Sequence, residues 1–215
     1  SVPFDEITGL LLAADVGINS MAALDGEMLE RIFNELGEFD IAQQLSDRTS
    51  THKQRIAEWL WDESRGIFAN RMISGEFVST LAPTSFFPMA AGIGSMGQAQ
   101  RMIHGYLNNS SKFGGEFGLP SVTRDDPAYN DNVYWRGRIW APLNFWVWQG
   151  LKRQGFVKES EQLAEQSWEL FEKNWKQRLC GENFNAETGE VLDQPDTDGF
   201  YSWGALLAAM KALEN

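Results

Sequence analysis

The residues best suited to chemistry gather in two stretches. The first is Tyr134-Trp135-Arg136-Gly137, followed by Ile139-Trp140, Asn144, Trp146 and Trp148. Indole and phenol rings offer flat apolar faces that match the C–H faces of a sugar, and Arg136 can donate to hydroxyls or a carboxylate. Trp135 and Trp140 flank a loop-to-helix boundary beside that arginine and read as sugar platforms. Trp146 and Trp148 sit deeper in a helical pattern and read as core. The second stretch is Glu182-Asn183-Phe184, then Thr188-Gly189. A carboxylate just past a helix end, among aromatic groups, can act as acid, base or nucleophile when its surroundings tune it. On spacing alone, a lone loop glutamate is more often surface decoration.

Other polar clusters point to plainer roles. Asp125, Asp126 and Asp131 form one acidic group, and Asp193, Asp196 and Asp198 before Gly199 form another. Calcium loops use such oxygen ligands, but the position twelve residues into an EF-hand loop begun at Asp193 is Gly204 rather than Glu. Turn-forming aspartates account for both clusters. His52 and His104 stand alone on helical patterns without metal-ligand spacing, and Cys180 has no histidine partner in sequence. No phosphate-binding glycine loop and no zinc motif is present. We therefore expect neither a metal nor a cofactor.

The elements that must position these groups are helical. Ile18, Met21, Ala22, Met28, Leu29, Ile32, Phe33 and Leu36 share one face, and Gly37 supplies a stop. Ile41, Leu45, His52, Ile56, Trp59 and Leu60 carry the period through a second helix, which ends near Gly66. Short helices follow at 84–93 and 96–108. Ile139 to Leu151, Leu163 to Leu179 and Tyr201 to Leu213 complete seven. Between them, residues 66–79 read as a hairpin turned at Ser74-Gly75. Segments 112–137 and 180–199 are long, rich in Gly, Asp and aromatics, and of the kind that carries function in compact helical domains. The expectation is a single all-α domain over 1–215, with a site at one end of a helical toroid.

Composition limits the partners. The chain has 215 residues, with 18 basic and 30 acidic side chains and a formal net charge of −12. Nucleic acid and anionic membrane surfaces need basic patches, so neither is expected as a partner. The longest apolar stretches are broken by Asp, Gly or Gln, and no secretory leader is legible at the N-terminus, which leaves the sequons at Asn108 and Asn109 without a use. With its single cysteine, the chain suits a reducing, cytoplasmic setting.

Three stretches, YWRGRIWAPLNFWVWQGL from Tyr134, ENFNAETGE from Glu182 and FYSWGALLAAM from Phe200, resemble in that order the C-terminal part of glycoside hydrolase family 63. LWDESRGIFANR, APTSFFPMAAG and FGLPSVTRDDPAYN extend the resemblance over nearly the whole chain. The family includes oligosaccharide α-glucosidases and bacterial hydrolases of mannosylglycerate or glucosylglycerate. The resemblance implies an (α/α)6 barrel, incomplete here, that hydrolyses an α-glucoside or α-mannoside with inversion. On the family's pattern Glu182 matches the general base, Trp135 and Trp140 the aromatic walls of the sugar subsite, and Arg136 a polar contact there. Tyr134 supports them, and Gln194 matches a substrate hydrogen bond.

The family's general acid is an aspartate in a Trp/Gly/Asp/Asn motif that precedes everything in this sequence. Asp5, Asp15 and Asp25 lie outside any such motif, and Asp125 or Asp126 would be substitutes for it. The expectation is thus a chain carrying the base and part of the sugar site, completed by an N-terminal portion. Two alternatives stand beside it. One is a stand-alone carbohydrate-binding or self-assembling remnant, a homo-oligomer that buries its open barrel edges. The other is a different (α/α)6 enzyme such as a sugar epimerase, which would need histidine acid/base groups in loops.

Overall fold

A computed structural model describes residues 4–214. It is mostly helical, with seven α-helices among the described residues. Helix α1 spans Val16–Glu35; its Asp15 cap accepts from the amide of Ile18 at 2.8 Å, and the chain leaves it through Gly37 at φ +77°. Helix α2, Phe39–Trp59, returns antiparallel, and the two axes approach closely because Gly26 faces Thr49 with no Cβ between them. After a 3-10 turn at Pro83–Phe86 comes the short α3, Phe87–Ala90. Helix α4, Met96–Met102, starts on a Ser95/Gln98 capping box and runs into a π-helical turn at Ile103–Leu107. Then follow α5, Ala141–Arg153, and α6, Val157–Trp175. The last, α7, Leu206–Ala212, extends a 3-10 turn at Ser202–Ala205.

These helices form an arc. Helix α1 packs on α3, α3 on α5 and α5 on α7, so alternate helices make one layer. Outside that layer, α2 covers α1 and α6 covers α5 and α7. The core between them holds Phe86, Met89, Val147, Trp148, Leu151, Leu163, Leu207 and Met210, all buried. Gly150 lets α5 come down on Met89 and Ala90 of α3, because a Cβ there would lie 3.0 Å from the Ala90 amide nitrogen.

The apolar stripe of α1 is helical as the period requires, yet half of it faces away from the core. Ile18, Leu29, Ile32 and Leu36 are 69%, 43%, 51% and 67% exposed. Val16, Ser20 and Ala23, on the opposite face, are buried.

The strands are short. Strands β1 (Phe4–Asp5) and β2 (Leu10–Leu11) pair with each other. Strand β3 (Ala13–Ala14) pairs with β6 (Arg71–Met72), and β4 (Trp61–Asp62) with β5 (Ile67–Phe68), all antiparallel. The hairpin at Ser74-Gly75 is present as a loose ladder, with Met72 donating to Glu76 and Val78 to Asn70, each at 2.8 Å. Its first residues belong elsewhere: Ile67 and Phe68 fold back on Trp61 and Asp62, because the Asp62 carboxylate closes the turn between them. None of the described helices is long and apolar enough to cross a membrane.

Candidate active site

The two long segments singled out by composition meet beside the start of α7. Ile139 and Phe184 exchange backbone hydrogen bonds at 2.8 and 2.9 Å, and Ser121 donates to the carbonyl of Arg138 at 2.9 Å. Residues 180–182 run alongside 198–201: Cys180 donates to Gly199, Glu182 to Asp198 and Tyr201 to Cys180, at 3.0, 2.9 and 2.7 Å. Glu182 is therefore fixed at its backbone on both sides, since its carbonyl accepts from the Trp203 indole at 2.9 Å. Its half-buried carboxylate lies near the Asp198 amide, 3.5 Å from Oε2.

An aromatic stack adjoins it. Trp135 lies flat on Trp140, ring centroids 3.6 Å apart and planes within 8°. Tyr134 meets Trp140 edge-on at 5.0 Å, and Trp203, the partner of Glu182, lies 5.9 Å from Trp140 on another side. Tyr201 packs on Trp203 at 4.2 Å. Trp140 is wholly buried and its indole N–H is spent on the Tyr134 carbonyl at 3.0 Å, whereas Trp135 and Tyr134 are nearly half exposed. The open ring surface thus belongs to Trp135 and Tyr134, with Trp140 as the floor that holds them.

A tight turn presents those rings. Val133 and Arg136 exchange backbone hydrogen bonds at 3.1 and 2.8 Å, which forces Tyr134 to φ +46°, a conformation that non-glycine residues adopt at some energetic cost. Gly137 follows at φ +101°, packed so closely on Tyr129 that a Cβ would overlap its carbonyl oxygen. Arg136 turns to Asp131, donating from Nε at 2.6 Å, and stays more than half exposed. Gln194 lies half-buried in the Glu182 loop.

Sequence reasoning passed over the residue that ties these parts together. Arg138 is completely buried. Its Nε donates to Asn183 Oδ1, and its Nη2 donates to the carbonyls of Glu190 and Val191 at 3.2 and 3.0 Å. The ion pair to Asp193 is 2.9 Å long. Burial works to raise the Asp193 carboxyl, but hydrogen bonds from Arg138 and Asn185 prevail and hold it below the usual carboxylate range. One sequence signal marks such an arginine: it heads the apolar run Ile139-Trp140-Ala141, which the structure buries wholly. Trp203 was likewise missed as the support of Glu182.

Asp125, Asp126 and Asp198 have structural employment, whereas Asp196 is exposed. Asp125 pairs with Lys112, and Asp126 caps the 3-10 turn Pro127–Asp131. Asp198 accepts from the Phe200 amide at 2.9 Å. Arg124, Tyr129 and Glu187 form a second tie between the two segments; burial, followed by the Glu187 carboxylate, pushes the Tyr129 phenol far up. Among the described residues no group of three His, Cys, Asp or Glu side chains gathers to hold a metal. His52 shares a hydrogen bond with Asn19 at 3.1 Å, and burial, then Arg48 and Arg55, lower its pKa. Cys180 is buried against Gly204, and burial pushes its thiol up.

Comparison with known proteins gives this arrangement its kin. A family model described as the mannosylglycerate hydrolase MGH1-like glycoside hydrolase domain matches residues 6–204. The mannosylglycerate hydrolase of Thermus thermophilus is 27% identical over 152 residues, covering 70% of this chain and 34% of that protein. Mannosylglycerate hydrolase MGH1 of Selaginella moellendorffii is 29% identical over 115 residues, 52% of this chain and 22% of that protein. Cytosolic neutral trehalase of Kluyveromyces lactis is 32% identical over the same length, but over only 15% of its own. The chain thus spans about a third or less of these curated relatives.

Solved structures share the fold. The GH63 mannosylglycerate hydrolase from Thermus thermophilus in complex with glucose superposes with a TM-score of 0.78 at 24% identity, over 93% of this chain and 48% of that one. Neutral trehalase Nth1 from Saccharomyces cerevisiae gives 0.74 at 17% identity, over 95% and 38%. The arc of alternating helices is accordingly a portion of an (α/α)6 barrel-type fold. With the family model matched across almost all of its length, the chain belongs to glycoside hydrolase family 63, in the mannosylglycerate hydrolase MGH1-like group.

Proposed function

We propose that this chain is a single domain forming the C-terminal portion of an inverting α-glycosidase barrel, and that it supplies the general base and part of the sugar subsite. The observation that carries the reading is the continuity from open aromatic surface to carboxylate. Trp135 and Tyr134 are exposed on a Trp140 floor, Trp140 adjoins Trp203, and Trp203 holds the backbone of Glu182. A sugar stacked on Trp135 has a carboxylate within the same cluster to activate water. Glu182 takes the proton of that water as its oxygen bonds to the anomeric carbon. An acid on the opposite face protonates the leaving oxygen, the two carboxyls standing roughly 6.5–9.5 Å apart.

The acid belongs to a portion outside this chain. Asp15 caps α1, Asp5 closes the turn to Thr8, and Asp125 and Asp126 are engaged as described. Arg136 and Gln194 provide the polar contacts of the subsite, and the substrate is an α-glucoside or α-mannoside, with mannosylglycerate suggested by the relatives' names. The exposed stripe of α1 is where the completing helices pack; a homo-oligomer would cover the same face. A cytoplasmic location and the lack of nucleic-acid or membrane partners belong to the same proposal.

The test is Glu182→Gln in the complete enzyme. Hydrolysis is expected to fall by about 10²–10⁴-fold, the range for loss of a general base, while sugar binding stays near that of the parent. Full activity in the variant refutes the assignment.

A further inference from the structure

Asn183 makes an unusual compromise for a buried side chain. It is wholly buried, and its Oδ1 accepts from Arg138 Nε and from the Thr197 hydroxyl at 3.2 Å. Because an arginine Nε can only donate, the carbonyl end of the amide must face Arg138, and Nδ2 is turned the other way. There Nδ2 finds no hydrogen-bond partner among the described residues. An unpaired buried donor is a cost that folded proteins usually avoid. Aspartate has the same shape, would accept both hydrogen bonds and would leave no donor stranded.

What aspartate would add is charge. The Arg138 guanidinium carries one positive charge, and Asp193 matches it at 2.9 Å. A carboxylate at 183 would therefore be a net extra negative charge in a buried place, one residue along the chain from Glu182. The titratable or charged groups on the surrounding segments already lean acidic: Glu187, Glu190, Asp193, Asp196 and Asp198 in the same loop, Arg136 and Arg138 on the segment before Ile139 that pairs with it, and Cys180 and Tyr201 on the strand-like stretches that flank Glu182.

We propose that Arg138 and Asn183 form a positioning couple for Glu182. The buried guanidinium locks the Asn183 amide and with it the Glu182 backbone, and the amide's neutrality spares the adjacent carboxylate a like charge. Arg138 and Asn183 act through Glu182 and touch no substrate. The couple matters to catalysis only if Glu182 is the base proposed above; its electrostatic part holds for the folded chain in any case.

The experiment follows the Glu182 carboxyl by ¹³C NMR against pH in the chain, the resonance being assigned by its loss in Glu182→Gln. In Asn183→Asp the titration midpoint is expected to move up by about half to one pH unit, as a like charge nearby favours the protonated form. In Asp193→Asn, which leaves the guanidinium unmatched, it is expected to move down. Opposite signs in the two variants support the couple. Midpoints that stay within about 0.2 unit of the parent, or that move in the same direction, overturn it. Should Asn183→Asp fail to fold, Asp193→Asn decides alone: a downward move supports the proposal, and none overturns it. In the complete enzyme, the acid limb of the rate profile is expected to shift with the midpoints. Retained hydrolysis in Glu182→Gln would remove the base role and leave the NMR result standing, so the two failures are distinct.

Discussion

Replacing Arg138 with methionine tests whether the buried guanidinium is what joins the two functional segments. Methionine matches much of the side chain's length but has no charge and no donor. The change strands Asp193, whose side chain is only 17% exposed, and takes the donors from the carbonyls of Glu190 and Val191 and from Asn183 Oδ1. Removing one partner of a buried pair costs about 3–5 kcal/mol. Asp193 lies close enough to the surface to regain some water, so we expect the lower end, about 3 kcal/mol. For a chain of this length that is a fall in melting temperature of about 6–12 °C. Urea unfolding followed by tryptophan fluorescence measures it. The logic also predicts the double variant: Arg138→Met with Asp193→Asn has no orphan charge and should recover about 1–2 kcal/mol relative to Arg138→Met alone. A single-variant loss under about 1 kcal/mol, or no recovery in the double variant, refutes the reasoning.

Three other outcomes follow from named contacts. Asp62 is buried; desolvation works to raise its carboxyl, but hydrogen bonds from Ser64 and Arg65 prevail and hold it low. A lowered folded-state pKa stabilises above the unfolded value and is lost as pH falls through the folded one. Asp62→Asn should thus cost about 1–2 kcal/mol at pH 7, with the gap closing below about pH 4; a gap independent of pH in denaturant melts contradicts this. Gly137→Ala, at φ +101° and against the Tyr129 carbonyl, should lose about 3 kcal/mol by the same melts, and parent-like stability would contradict the close packing. Cys180, buried with its thiol pushed up, should react with a disulfide reagent at least about 100-fold more slowly folded than unfolded; equal rates would contradict its burial.

The helices were legible in the sequence because their signals are local. Asp15 before the α1 stripe and Gly37 after it mark both ends, and the structure puts the helix between them. What the stripe packs on was not legible. A period of apolar residues says that one face avoids water but not what covers it, so Leu29 and Ile32 read the same in a closed core and on an open edge. The site divides in the same way. Trp135, Trp140 and Glu182 could be chosen by residue type and neighbours. The burial of Trp140 under Trp135, and the Arg138–Asn183 contact across 45 residues, depend on strand-like pairing between distant loops that no local pattern announces.

That division bears on how the site is held. The loops that carry Trp135 and Glu182 lead into α5 and α7, and their mutual ties include Ile139 to Phe184, Arg138 to Asp193, Tyr129 to Glu187 and Trp203 to Glu182. None of these ties involves α1, which stands at the other end of the α1–α3–α5–α7 layer. The exposed stripe and the Glu182 loop therefore answer to different forces. Covering Ile18, Leu29, Ile32 and Leu36 removes apolar surface from water and decides what the chain associates with. The geometry of Glu182 is set instead by buried hydrogen bonds and one matched charge wholly within this chain. On the proposed reading of Glu182 as the base, its half-site is formed before the acid arrives, so the completing helices need only bring that acid to the correct distance.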